Sequence, residues 1–192
     1  MVDPFELFRE WFDAAGAAGL ELPEAMTLAT ATPDGRPSAR TVLLKGVDER
    51  GFVFFTNYES RKGQELERNP HAALVFVWHV EPRRQVTVRG RVERVPQAES
   101  EAYFRTRPLG SRLAAWASRQ SEVIPDREAL ERAYGDAEEQ FGDDPPLAPW
   151  WGGYVLEPEA FEFWENRPNR LHERFRYTRA ESGDWKSERL SP

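Results

Sequence analysis

Along the first twenty positions, Phe5, Phe8, Trp11, Phe12 and Ala15 recur at spacings of three and four and fall on one face of a helix. Asp3 stands where a cap would accept free amides, Pro4 suits the first turn, and Gly16 and Gly19 close the segment. After residue 25 the period changes. MTLATAT (26–32), ARTVLLKGV (39–47) and FVFFTNY (52–58) have the β-branched and aromatic density of strands, separated by the turn-formers PDGRP and DERG. Their order predicts a three-stranded antiparallel meander. SRKGQELERN (60–69) reads as a short helix opened by Ser60, and ALVFVWHV (73–80) with QVTVRGRVERV (85–95) as a further hairpin. The middle turns helical over 97–107, 109–119 and 126–141. After the proline-rich DDPPLAPWW, four more strand candidates follow: GGYVLEP, AFEFWEN, RLHERFRYTR and WKSERL.

Adjacent strands joined by short turns, with helices inserted between them, predict an α+β fold that is mainly β, an antiparallel barrel with helical additions. No repeat, linker or low-complexity tract interrupts it, so 1–192 reads as one domain opened by a helix within 1–20. Forty per cent hydrophobic and twelve per cent aromatic content over 192 residues supports a sizeable core. The longest apolar run, AALVFVW (72–78), falls far short of the roughly 20 residues that span a bilayer, and an acidic amphipathic stretch follows Met1 instead of a signal peptide. No membrane role and a cytoplasmic location are therefore expected.

Net charge −7 and a pI near 5.2 remove the electrostatic footprint of nucleic-acid binding, so any anion must be caught locally. The absence of cysteine excludes disulfides, thiolate metal sites and a Cys nucleophile. His71, His79 and His172 are scattered, no HExxH is present, and no metal site is expected; GxGxxG, GxxxxGK[ST] and GxSxG are absent too. Only three of the 26 basic residues are lysine, and two of them, Lys45 and Lys62, stand in stretches that could carry chemistry.

Ser60-Arg61-Lys62 opens a helix, where free amides and the dipole favour a phosphate; the alternative is a plain cap followed by solvated charges. Tyr103, Arg107 and Ser111 stand at i, i+4 and i+8 and offer donors that a phosphate can use, although Pro108 disfavours one continuous helix. Arg40 and Lys45 bracket an apolar strand, their separation of five placing them on opposite faces. Read as one strand, NRLHERFRYTR (169–179) puts Arg170, His172, Arg174 and Arg176 on one side. That face suits either a solvated edge protected from pairing or a surface for an anionic or electron-rich planar ligand.

RTVLLK (40–45), FFTNYESRKGQEL (54–66), RRQVTVRG (83–90), YFRTRPLGS (103–111), SRQS (118–121), WWGGY (150–154) and EFWENRPNRLHERFRY (162–177) together closely resemble, in order, the pyridoxine/pyridoxamine 5′-phosphate oxidases. The resemblance implies an FMN-binding split β-barrel, a homodimer with FMN at the subunit interface, and oxidation of pyridoxamine or pyridoxine 5′-phosphate by O2 to pyridoxal 5′-phosphate with hydrogen peroxide. It implies that Arg40, Ser60, Arg61 and Lys62 bind the FMN phosphate, and that Val42, Leu43, Lys45, Phe55, Thr56 and Gln85 neighbour the flavin and ribityl chain. Gln120, Ser121, Trp164 and Arg174 correspond to residues that the partner subunit contributes. Lys45, Tyr103, Arg107 and Ser111 match the substrate phosphate pocket, and Arg170 and His172 the catalytic pair that holds the pyridine ring against the flavin.

Three departures accompany the match. The chain starts at Met1-Val2-Asp3, without the lid segment that family members usually carry before the first helix. Glu165-Asn166 replaces the common Gln-Gly after Trp164, which would add a carboxylate near the flavin, and the loop HVEPRR is one residue longer than usual. The alternatives are an FMN-dependent reductase or oxidase of the same superfamily acting on another ring, and a non-catalytic FMN-binding protein.

Overall fold

The computed structural model describes residues 2–192. Helix α1 (Pro4–Ala17) is capped by Asp3, whose carboxylate accepts from the amides of Phe5 and Glu6. Its apolar face buries Phe8, Trp11 and Ala15. Strands β1 (Ala25–Ala31), β2 (Pro37–Leu43), β3 (Gly46–Asp48) and β4 (Gly51–Asn57) follow, then α2 (Arg61–Arg68), β5 (His71–Trp78) and β6 (Arg84–Arg94). Three helices, α3 (Gln97–Thr106), α4 (Leu109–Ala117) and α5 (Arg127–Phe141), precede β7 (Trp151–Glu165), β8 (Glu173–Arg179) and β9 (Trp185–Arg189).

The strands form one antiparallel sheet in the order β2-β1-β5-β6-β7-β4-β3, with β8 and β9 continuing from β7. The predicted meander does not form: β2 pairs with β1, β3 pairs with β4, and these hairpins lie at opposite ends of the path. Leu44 and Lys45 are the seam. The Leu44 amide donates to Glu24 O at 2.9 Å on the β1 side, and the Lys45 amide to Val53 O at 2.8 Å on β4. Two residues thus carry the chain from one end of the path to the other and bring those ends together, while β2 itself pairs with β1 alone.

GGYVLEP and AFEFWEN are one continuous strand rather than two. Pro158 would interrupt a regular ladder, but the register with β6 shifts between Arg89 and Gly90, so Glu159 bulges out and the proline stands where pairing is already broken. RLHERFRYTR is likewise not one strand: a short 3₁₀ turn at Pro168–Arg170 precedes β8, with Asn169 and Arg170 at φ 58° and 62°. The four-residue cationic face therefore reduces to Arg174 and Arg176.

The barrel interior is aromatic. Phe8 packs edge-on against Phe52 and Phe76, with centroids at 4.8 and 5.0 Å, and Trp11 against Phe163 at 5.2 Å. Helix α1 thus packs its apolar face into this core, while α3 and α4 contribute to a second small core around Phe104 and Trp151. Among the described residues no helix is long and apolar enough to cross a membrane.

Candidate functional site

A cleft of about 820 Å³, within the range of small-molecule sites, opens where β2, the end of β4, the start of α2 and the α3–α4 turn converge. Arg40, Val42, Leu43, Lys45, Phe55, Thr56, Arg61, Lys62, Tyr103, Arg107, Ser111, Gln120 and Ser121 all line it. Arg40 and Lys45 share the cleft although a regular strand would part them, because the seam resets the alternation.

One group of cations gathers at the start of α2. Ser60 caps the helix by accepting from the Gly63 amide and donating to Asn57 O at 2.7 Å; it is fully buried. The Ser60 hydroxyl is taken up by the cap and by Lys62 Nζ, which donates to it at 3.2 Å. Lys62 Nζ also donates to Thr56 Oγ1 at 3.1 Å and Gln120 Oε1 at 2.6 Å. Burial, and then the charge of Arg40, pushes the Lys62 ammonium down to about 8. Gln120 and Ser121, expected to serve a neighbouring subunit's flavin, line this chain's cleft, Ser121 in the left-handed region at φ 78°.

Beneath these cations sits Glu65, which no motif in the sequence singles out. Its carboxylate accepts from Arg61 Nε at 2.9 Å, Arg40 Nη2 at 3.3 Å, Ser38 Oγ and Thr30 Oγ1. Burial alone would raise its pKa; the hydroxyls of Ser38 and Thr30 and the two guanidinium groups outweigh that and hold it at about 2. Arg40 also donates through Nη1 to Thr30 Oγ1 at 2.6 Å and Leu28 O at 3.2 Å. Three cations set against one carboxylate leave a net charge near +2, which complements a phosphate dianion.

A second group forms where α3 meets α4. Pro108 does break the helix: Arg107 is extended at φ −73° and ψ 147°, and Ser111 falls in the first turn of α4. Tyr103 stacks on Phe55 at 4.1 Å, and the Arg107 guanidinium rests 4.5 Å over the Trp151 ring. Arg107 Nη1 is buried without a hydrogen-bond partner, an unusual state for a charged group and a specific opening for an anion.

Gln85, Trp164, Arg170, His172 and Arg174 do not line this cleft. Gln85 stands opposite Trp164 across β6 and β7, and Trp164 opposite Arg174 across β7 and β8. Gln85 therefore groups with the Trp164 end of the molecule. The His172 ring lies 4.6 Å from that of Trp164. Arg174 pairs with Glu162 at 2.7 Å. Glu165 adds no free carboxylate: Arg84 and Arg167 hold it at 2.8 and 2.7 Å. Trp151 lines the cleft and Trp164 lies thirteen positions further along the same strand, roughly 40 Å at about 3.3 Å per residue.

The chain matches the family model described as pyridoxamine 5′-phosphate oxidase over residues 12–141, and the one described as pyridoxine 5′-phosphate oxidase C-terminal dimerisation region over 151–192. The pyridoxine/pyridoxamine 5′-phosphate oxidase of Cupriavidus necator is 57% identical over 190 residues, covering 99% of this chain and 89% of the relative. Its counterpart from Paraburkholderia phytofirmans is 58% identical over 191 residues, with the same coverage. Among solved structures, PhzG from Burkholderia lata, in complex with tetrahydrophenazine-1-carboxylic acid, superposes with a TM-score of 0.93 at 35% identity, over 99% of this chain and 93% of that one. The family models meet at the break between the α3–α5 helices and β7, so the cation-lined cleft falls mostly in one and the Trp164 end in the other. The chain belongs to the pyridoxine/pyridoxamine 5′-phosphate oxidase family.

Proposed function

We propose that the chain, as a single domain of a homodimer, oxidises pyridoxamine 5′-phosphate and pyridoxine 5′-phosphate to pyridoxal 5′-phosphate, with FMN as cofactor and O2 as the final acceptor, yielding hydrogen peroxide. The observation that carries it is the presence in one cleft of two cation groups on different elements, one at the start of α2 and one at the α3–α4 turn. Cofactor and substrate each bring a phosphate, and the pair of sites supplies a seat for each. The partner-free Arg107 Nη1 and the near +2 balance around Glu65 both fit phosphate esters.

FMN, when bound, supplies a ring that accepts two electrons from the substrate and passes them to O2. The protein's task is positional. Arg61 and Lys62 hold the cofactor phosphate, with Arg40 fixed behind them by Glu65. Val42, Leu43, Phe55 and Thr56 flank the ribityl chain and the ring. Lys45, Tyr103, Arg107 and Ser111 hold the substrate phosphate. Arg170 stacks its planar guanidinium on the substrate ring, as an ammonium could not, and His172 bonds a ring substituent. Since Trp151 and Trp164 lie at opposite ends of β7, one site that uses both ends takes them from two chains. The match of 151–192 to a dimerisation region and the exposure of Val77 (44%) and Leu171 (69%) near the Trp164 end support that arrangement.

The ligand named with PhzG favours a second reading, a flavin enzyme acting on a larger ring acid, and the phosphate pocket separates the two. Pyridoxamine 5′-phosphate should be oxidised with a kcat/KM at least about a hundredfold above that of pyridoxamine, since charged hydrogen bonds contribute roughly 1.5–3 kcal/mol each. Arg107→Ala should erase most of that gap by damaging the phosphorylated substrate alone, followed as peroxide release. Equal rates with the two amines would move the assignment to the second reading.

A further inference from the structure

We propose that His172 works as the Nε2–H tautomer, a hydrogen-bond donor and not a base, and that Glu165 is the positioning residue that holds it so. The proposal rests on the placement of His172 beside the substrate ring. The Arg167 backbone N–H donates to His172 Nδ1 at 3.1 Å. An amide N–H can only donate, so Nδ1 presents its lone pair and carries no proton. A neutral imidazole has one proton, which then resides on Nε2. The Trp164 ring, 4.6 Å away and tilted by 45°, limits rotation of the imidazole about its bond to the chain.

The donor amide is itself held in place. Arg167 turns its guanidinium back to Glu165 Oε1 at 2.7 Å, and Glu165 Oε2 accepts from Arg84 Nε at 2.8 Å. Arg84 lies 4.4 Å over the ring of Trp11, a core residue of α1. The Asn166 amide donates to Arg83 O at 2.9 Å, so the start of the turn is also tied to the residue before β6. Within the turn itself, Asn169 and Arg170 adopt left-handed conformations that non-glycine residues rarely take. Glu165, Arg167 and Arg84 thus tie the core to the segment that carries Arg170 and His172. A neutral His172 held in this way offers Nε2–H to an acceptor on the substrate. It can take a proton only at Nδ1, and only by giving up the Arg167 amide.

The FMN-loaded protein, labelled with ¹⁵N-histidine, tests this directly. Its three histidines allow assignment of His172 by a His172→Gln variant. The expected spectrum of neutral His172 has an unprotonated Nδ1 and a protonated Nε2. A protonated Nδ1, or an even mixture, overturns the proposal. Glu165→Gln and Arg167→Ala should shift that signal towards the mixture and lower kcat about two- to tenfold, the worth of a neutral hydrogen bond, with FMN affinity within about twofold. Glu165→Asp, which keeps the charge, should recover part of the loss. An unchanged His172 signal in Glu165→Gln overturns the positioning role. If His172→Gln keeps full turnover while the tautomer is as expected, the placement beside the substrate fails and the tautomer assignment stands.

Discussion

Replacing Glu65 with Gln removes the carboxylate that four neighbours share and leaves Arg40 and Arg61 facing each other and Lys62 without a counter-charge. The Glu65 side chain is 5% exposed, so water screens the loss little. A carboxyl held at about 2 in the folded chain, against 4.5 ordinarily, contributes about 3 kcal/mol of stability. Because the folded pKa is the lower one, that contribution is fully present above about pH 4.5 and is lost as the pH falls towards 2, with about 2 kcal/mol gone by pH 3. Urea unfolding of FMN-free parent and variant, at one fixed protein concentration, should show the variant about 3 kcal/mol less stable at pH 7. At pH 3 the gap should shrink to about 1 kcal/mol. A gap that is constant with pH, or absent at pH 7, would refute the reasoning, since either result would mean that Glu65 is not held ionised by these partners.

Lys62 gives a pH dependence of opposite sense. With its ammonium at about 8, the free protein sheds that proton as the pH rises, whereas a phosphate dianion requires it; FMN affinity should fall by up to about tenfold per pH unit above pH 8 in fluorescence-quenching titrations. Lys62→Met should bind FMN more weakly and lose that slope. At Gly63 a Cβ would lie 2.0 Å from Tyr58 O, so Gly63→Ala should destabilise the protein by about 1–3 kcal/mol on urea unfolding despite alanine's better helix propensity. It should also weaken FMN binding, because the displaced first turn of α2 carries Arg61 and Lys62.

Local signals carried most of the elements: the cap at Asp3, the Ser60 start and the β-branched runs all mark real boundaries. Pairing was less legible, because the apolar run ARTVLLKGV reads as one strand and nothing local says that its halves find different partners. Pro158 looked like a terminus because a bulge is a property of two strands together, and Asn169 and Arg170 looked extended because neither is a glycine that would signal a left-handed turn. In the cleft, the cations could be recognised from motifs, but their orientation could not. Glu65, one helical turn from Arg61, was open to discovery as an i,i+4 pair. The hydrogen bonds of Ser60 and Gln120 were not, since one lies in a fully buried cap and the other joins Lys62 to a residue 58 positions away.

The length of β7 has a consequence for genetics. In the proposed arrangement, where each site takes its Trp151 end from one chain and its Trp164 end from the partner, lesions at the two ends are complementary. In a dimer of one chain damaged at Arg107 and one damaged at Arg170, one site inherits both lesions and the other inherits neither. Two inactive alleles expressed together would therefore restore function, while two alleles hit at the same end would not.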